Sequence, residues 1–141
     1  MEAALIRAAE AKDAADIQAI AADFATSFQV EAVAFQRSFD ELLATPYALL
    51  TVAEVDGQAV GYALGFVHAT LYANGKVAWV EEIAVRPEFR GRGIGRQLMQ
   101  RMEQWAEERE CKLIALATRR ASAFYERLGY APSADYLRKL L

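Results

Sequence analysis

The sequence predicts a mixed α/β domain, and three observations carry that prediction. Segments of helical and of strand-like periodicity succeed one another in the order β-α-α-β-β-β-α-β-α-β. Residues 77 to 117 read as strand–helix–strand, the arrangement of a parallel crossover unit. Between that strand and that helix lies a turn rich in glycine and arginine, Arg86 to Gly95. The chain has 141 residues, the size of one domain, with 55% hydrophobic and 25% charged residues.

The elements follow in order. Ala4 to Ala8 reads as a short strand. Asp13 and Asp16 mark a helix start, because short carboxylates near a first turn cap free amides. Ile17, Ile20 and Phe24 then line one face. A second helix is expected from Gln29 to Ala44, with Phe35, Phe39 and Leu42 as its stripe, and Pro46 ends it. Tyr47 to Val55 and Gln58 to Thr70 are strands joined by Asp56-Gly57, a pair suited to the positive φ of a type I′ turn. The second of these alternates Ala59, Gly61, Ala63 and Gly65 with Val60, Tyr62, Leu64 and Phe66. Its small face invites close approach by a helix. Asn74-Gly75 turns the chain into Val77 to Val85. Ile94, Leu98, Met102 and Trp105 recur at helical spacing. Lys112 to Ala117 reads as a buried strand, and Ala121 to Leu128 as a short helix closed by Gly129. Asp135 to Leu140 is expected to be a last strand.

Composition excludes several classes. Sixteen Lys and Arg against nineteen Asp and Glu give a formal charge of −3, which disfavours generic nucleic-acid binding. One Cys and one His cannot build a disulfide framework or an ordinary Cys/His zinc site, so no metal is expected. No apolar run reaches the ~18 residues of a membrane span. The opening residues Met1 to Leu5 lack the basic region of a secretory signal. A cytoplasmic domain without nucleic-acid or membrane partners is the expectation.

The turn carries the chemistry. A helix start has amides without internal partners and the positive end of the helix dipole. Gly91, Gly93 and Gly95 remove side chains that would keep a ligand from those amides, so a diphosphate fits. Arg86, Arg90, Arg92, Arg96 and Arg101 crowd the same stretch of an otherwise acidic chain. A Walker loop fails because Arg96 and Gln97 follow Gly95, and a dinucleotide fingerprint fails because Arg96 and Leu98 occupy its third-glycine positions. The plainer alternative is a glycine-rich turn with solvated arginines. A strand before, a helix after and clustered guanidiniums all weigh against it.

Arg90-x-x-Gly93-x-Gly95, after Ile83-Ala84-Val85, resembles the acyl-CoA loop of the GNAT superfamily of N-acetyltransferases. Ala121-Ser122-Ala123-Phe124-Tyr125-Glu126-Arg127-Leu128-Gly129-Tyr130 is similar to that family's second signature. The likeness covers nearly the whole chain. It implies one domain over residues 1–141 with the GNAT fold, a mixed, mostly antiparallel sheet of six to seven strands with about four helices. It also implies acetyl transfer from acetyl-CoA to a small-molecule or peptidyl amine in a ternary complex, and it allows a homodimer. The implied CoA-binding set starts with Ile83, Ala84 and Val85 on the strand. In the turn it takes Arg90, Gly91, Arg92, Gly93, Ile94, Gly95 and Arg96, and it closes with Thr118 and Phe124. Thr118 stands where many relatives carry an Asn against the pantetheine arm. Phe28, Glu31 and the Tyr72 loop are typical substrate-side positions of the family.

Acetyl transfer needs a base, because an alkylammonium of pKa near ~10.4 cannot attack while protonated. Glu81 and Glu82 stand in a run of apolar residues, and strict alternation lets only one share a face with Trp79, Ile83 and Val85. Glu81, similar to a position where some relatives place a glutamate acting through water, is favoured, with Glu82 second. Tyr125 is the candidate acid for the departing thiolate. Alone it reads as a core tyrosine, and its place in the second signature makes it the acid. The resemblance places the oxyanion at an amide between Ile83 and Val85, where the family's strand is bulged. His68 reads as structural or substrate-side, and Cys111 has no His partner for a nucleophile's role. The alternative function is a non-catalytic acyl-CoA-binding sensor or interaction module, which needs neither Tyr125 nor the Glu81/Glu82 pair. A different nucleotide binder is the third reading, disfavoured by the failed motifs.

Overall fold

The structure, a computed structural model, describes residues 3–141. Met1 and Glu2, part of the stretch read for a secretory signal, lie outside them. The elements are β1 (Leu5–Ala8), α1 (Ala14–Phe24), α2 (Ala32–Ala44), β2 (Ala48–Val55), β3 (Gln58–Ala69), β4 (Lys76–Val85), α3 (Ile94–Glu108), β5 (Ile114–Leu116) and α4 (Ser122–Arg127). The five strands lie in the order β1-β2-β3-β4-β5, antiparallel except for the β4–β5 pair. The fold is the expected mixed α/β arrangement with four helices, but the sheet has five strands among the described residues. Asp135 to Leu140 is not a strand. Its backbone makes no ladder, and Arg138 instead reaches Ser27 in the α1–α2 loop. Helix α2 begins at Ala32 rather than Gln29.

The sheet divides two cores. On one face α3 presents Ile94, Leu98, Met99, Met102 and Trp105 to Ala63, Val67, Ala78 and Val80. On the other, Ile17, Ile20 and Phe39 of α1 and α2 pack on Leu50, Val52, Tyr62 and Leu64. Gly61, Ala63 and Gly65 of β3 serve the approach of α3, whereas Ala59 lies in the core on the other face. A Cβ on Gly65 would stand 2.9 Å from Met102 Sδ, and one on Gly61 3.1 Å from the Ala84 carbonyl. Gly61→Val is therefore expected to cost about 1–3 kcal/mol by overpacking, read as a lower urea midpoint at unchanged slope.

Two irregularities interrupt the alternation read from the sequence. The β2–β3 register passes from Ala53↔Gly61 to Glu54↔Ala59, leaving Val60 as an extra residue that joins the α3 core. The β3–β4 register passes from Leu64↔Glu82 to Gly65↔Val80, leaving Glu81 without an opposite partner. Each is a β-bulge, which bends its strand and exchanges the faces beyond it.

The N-terminal carboxylates do other work than expected. Asp13, 3% exposed, takes two bonds of 2.8 Å from the Arg7 guanidinium and one of 2.7 Å from the Glu10 amide. The Arg7 hydrogen bonds hold its carboxyl below the usual range, and they outweigh the opposing effect of burial. That stabilisation is complete above the ordinary carboxylate pKa and is lost as pH falls through the lowered value. Asp13 thus closes the turn Ala11–Asp13 rather than capping α1. Asp16 accepts from the Ala59 amide at 3.2 Å and pairs with Arg86 at 3.3 Å, tying α1 to the β2–β3 hairpin and the end of β4.

Candidate active site

The site grows from the end of β4. Strand β5 accompanies β4 only through Ala78↔Ile114, Trp79↔Ala115 and Val80↔Leu116. From Glu81 to Val85 no strand among the described residues lies on that side of β4, so the sheet is split where the bulge begins. The split opens into a cleft of about 750 Å³ between the α1–α2 loop, the middle of β4, the end of β5 and the C-terminal segment. Phe24, Phe28, Trp79 and Tyr136 give it aromatic walls, and Glu81, Glu82, Thr118, Arg119 and Arg138 bring polar groups.

The bulge decides how the two glutamates differ. Glu82 faces the α1 side and accepts a 2.6 Å hydrogen bond from the Tyr62 hydroxyl. Burial, then the charge and hydrogen bond of Glu82, raise the Tyr62 phenol far above its ordinary value, so it stays a donor. Glu81 is exposed in the cleft with no hydrogen bond or ion pair to a described residue. The expected common face of Glu81, Trp79, Ile83 and Val85 does not exist. Trp79 stands opposite Phe66, while Ile83 and Val85 pack toward α3, because the extra residue between them inverts the pleat.

Past Val85, a short 3₁₀ turn at Pro87–Phe89 leads to Gly91 and Gly93, with φ of 77° and 82°. Gly93 is the N-cap of α3. A Cβ on either would meet no atom within 4 Å, so both glycines border open space. The amides of Ile94, Gly95 and Arg96 open the helix and have no intrahelical acceptor. A Cβ on Gly95 would stand 3.4 Å from Phe124 Cζ, an ordinary contact, so this position also faces α4. These residues fit a diphosphate: a cradle that side chains would fill, unpaired donors and a helix dipole.

The five arginines are not one cluster. Arg86 pairs with Asp16, and Arg90 bonds the Val85 carbonyl at 3.0 Å and Asp23 at 3.4 Å. Arg101 turns to Glu108 at 3.2 Å, and Arg92 lies over the Phe89 ring at 5.1 Å. Arg96 is exposed in the first turn of α3. Arg86 and Arg90 brace the loop, while the main-chain amides at the start of α3 have no intrahelical acceptor.

Tyr125, on α4, is 8% exposed between Phe124 and Tyr130, whose rings stand 5.0 and 5.9 Å away. Its hydroxyl bonds to no described residue, and burial raises its pKa. Thr118 accepts the Ala121 amide at 3.1 Å and lines the cleft, so its hydroxyl still has a proton to donate. Phe28 lines the cleft, whereas Glu31 is the N-cap position of α2. Tyr72 and His68 are exposed at the far end of β3 and its turn, away from the cleft lining. Burial raises the Cys111 thiol, which suits an inert side chain. Sequence reasoning missed Tyr136 and Arg138, which reach the cleft from a segment with no motif, and Tyr62, whose role appears only through its bond to Glu82. Among the described residues no three His, Cys, Asp or Glu are grouped to hold a metal, and no helix is long and apolar enough to cross a membrane.

A sheet split beside a bulged strand, with an amide-lined helix start at its end, makes this a mixed α/β domain with an anion-binding turn beside an open cleft. The chain belongs to the GNAT acetyltransferase family, whose model matches residues 14–130. An uncharacterized N-acetyltransferase of Archaeoglobus fulgidus is 40% identical over 79 residues, which cover 52% of this chain and 54% of that relative. One from Methanocaldococcus jannaschii is 36% identical over 84 residues, 56% of this chain and 37% of its own. The chain thus spans about half or less of these curated relatives. A Bacillus halodurans C-125 structure described as a transcriptional regulator superposes with a TM-score of 0.89 at 28% identity, covering 98% and 99% of the two chains. The fold is also that of AAC(6')-Iy in complex with a CoA bisubstrate analogue, with a TM-score of 0.79 at 19% identity over 99% and 100% of the chains.

Proposed function

We propose that this chain is a single acetyltransferase domain that moves an acetyl group from acetyl-CoA to a primary amine within one ternary complex. The observation that carries the reading is the split at Glu81. It leaves one carboxylate free in a cleft whose floor is the strand leading to the amide-lined turn. Family membership and a neighbour of the same fold bound to a CoA analogue support it. Acetyl-CoA supplies the activated thioester. The amides of Gly93, Ile94, Gly95 and Arg96 hold its diphosphate, and Thr118 donates toward its arm. Glu81 takes the ammonium proton, directly or through water. The freed nitrogen then attacks the thioester carbon. An amide between Ile83 and Val85 meets the charge developing on the carbonyl oxygen. As the carbon–sulfur bond breaks, Tyr125 gives its proton to the sulfur, and the nitrogen sheds its remaining extra proton to the phenolate.

Glu82 is the second candidate for the base, but its bond from Tyr62 occupies the side chain and favours a structural role. Glu81→Gln is expected to depress the low-pH limb of kcat/KM, where the base is being protonated, more than Glu82→Gln does. The opposite order in pH profiles of the two variants transfers the role to Glu82. A screen of amines for acetyl-CoA-dependent thiol release tests the whole reading, and turnover of none of them favours the non-catalytic acyl-CoA module. A single cysteine without a disulfide partner accords with a reducing cytoplasm as its place of action.

A further inference from the structure

We propose that the acceptor is a zwitterion, an amino acid with an aromatic or branched apolar side chain whose carboxylate is read by Arg138 with Arg119 nearby. This rests on the acetyl-transfer reading and goes beyond it to the substrate class.

The cleft carries both signs of charge. Of its two glutamates, Glu82 is engaged by Tyr62 and Glu81 is open. Its two guanidiniums, Arg119 and Arg138, are in no ion pair among the described residues. Both lie in the cleft lining without a carboxylate partner among the described residues, whereas Arg7, Arg86, Arg90 and Arg101 each have a carboxylate within 3.4 Å. Arg138 Nη2 donates to Ser27 Oγ at 2.8 Å. That bond fastens the C-terminal segment to the α1–α2 loop and sets the guanidinium at the cleft. A guanidinium has five N–H donors, so one neutral acceptor leaves a fork for a carboxylate.

Other acceptors match less well. A polyamine finds Glu81 but meets two uncompensated cations. The N-terminus of a peptide brings an amide where the fork needs an oxyanion. Phe24, Phe28, Trp79 and Tyr136 surround the charged groups with rings, which suits an apolar body. An amine at Glu81, a carboxylate at Arg138 and a side chain against the aromatic wall satisfy all three.

The test uses the full chain, acetyl-CoA and matched acceptors: L-phenylalanine against 2-phenylethylamine, and L-leucine against 3-methylbutylamine. Spermidine and an alanyl peptide amide complete the set. With rates corrected for the fraction of free amine, the carboxylated member of a pair is expected to have the higher kcat/KM by about tenfold or more, mostly through KM. Arg138→Gln should remove most of that preference, and Arg138→Lys should restore part of it. Equal or better turnover of the decarboxylated amines overturns the proposal. So does preference for spermidine or the peptide, or a preference that survives Arg138→Gln. Calorimetric titration with CoA separates the two levels. Tight CoA binding without a carboxylate preference defeats this inference alone, and no CoA binding defeats the acetyl-transfer reading and this inference with it.

Discussion

Gly93→Glu is expected to abolish CoA binding, with affinity down by at least about 100-fold in calorimetry. The position is the N-cap of α3, at φ 82°, and a Cβ there points into open space. A glutamate placed there brings its own carboxylate to the amides that the diphosphate would use, and it repels the incoming phosphates. It also strains the backbone, because L side chains disfavour positive φ. Gly57→Glu separates the two effects. Gly57 has φ 77°, nothing within 4 Å, and a place in the β2–β3 turn. It adds the same charge and a comparable strain without touching the α3 start, and it should bind CoA like the parent. Parental affinity in Gly93→Glu would remove the turn from the site.

Tyr125→Phe should lower kcat by about 100-fold while CoA affinity stays within about twofold. The phenyl ring keeps the edge contacts to Phe124 and Tyr130, so packing survives. The hydroxyl has no partner among the described residues, so the fold does not depend on it. Burial raises its pKa, which keeps the proton on the phenol at neutral pH. An acid works only while protonated, so the parent's kcat should fall on the alkaline side only above the ordinary phenol range. That limb should be missing in the Phe variant. Wild-type turnover in Tyr125→Phe would make the residue a core aromatic and nothing more.

The residues that define the helix start were legible because their demands are local. Gly91 and Gly93 answer to a backbone conformation, and the α3 stripe of Ile94, Leu98, Met102 and Trp105 answers to a 3.6-residue period. Asp56-Gly57 and Gly129 likewise announce their turns, at φ 52°, 77° and 96°. Gly95 shows the limit of such reading. Its place in the motif implies ligand contact, and only the fold shows that the same position also faces the Phe124 ring.

The glutamates could not be sorted from the chain. Period-two alternation assumes an unbroken ladder, and one extra residue on β4 reverses every face beyond it. The arginines show a related limit. Their partners are remote, Asp16 lying 70 positions from Arg86 and Asp23 lying 67 from Arg90. Closeness along the chain made them look like one phosphate-binding group, and closeness in space makes two of them braces.

Local preference and short-range spacing therefore determined the succession of elements, the glycine turn and the two signatures of the family, since each depends on neighbours within a few residues. Folding alone decided that β4 bulges at Glu81, that the last apolar segment pairs with no strand, and that Arg138 arrives at the cleft. Those outcomes depend on which distant backbones and side chains meet, and a linear pattern holds no measure of that.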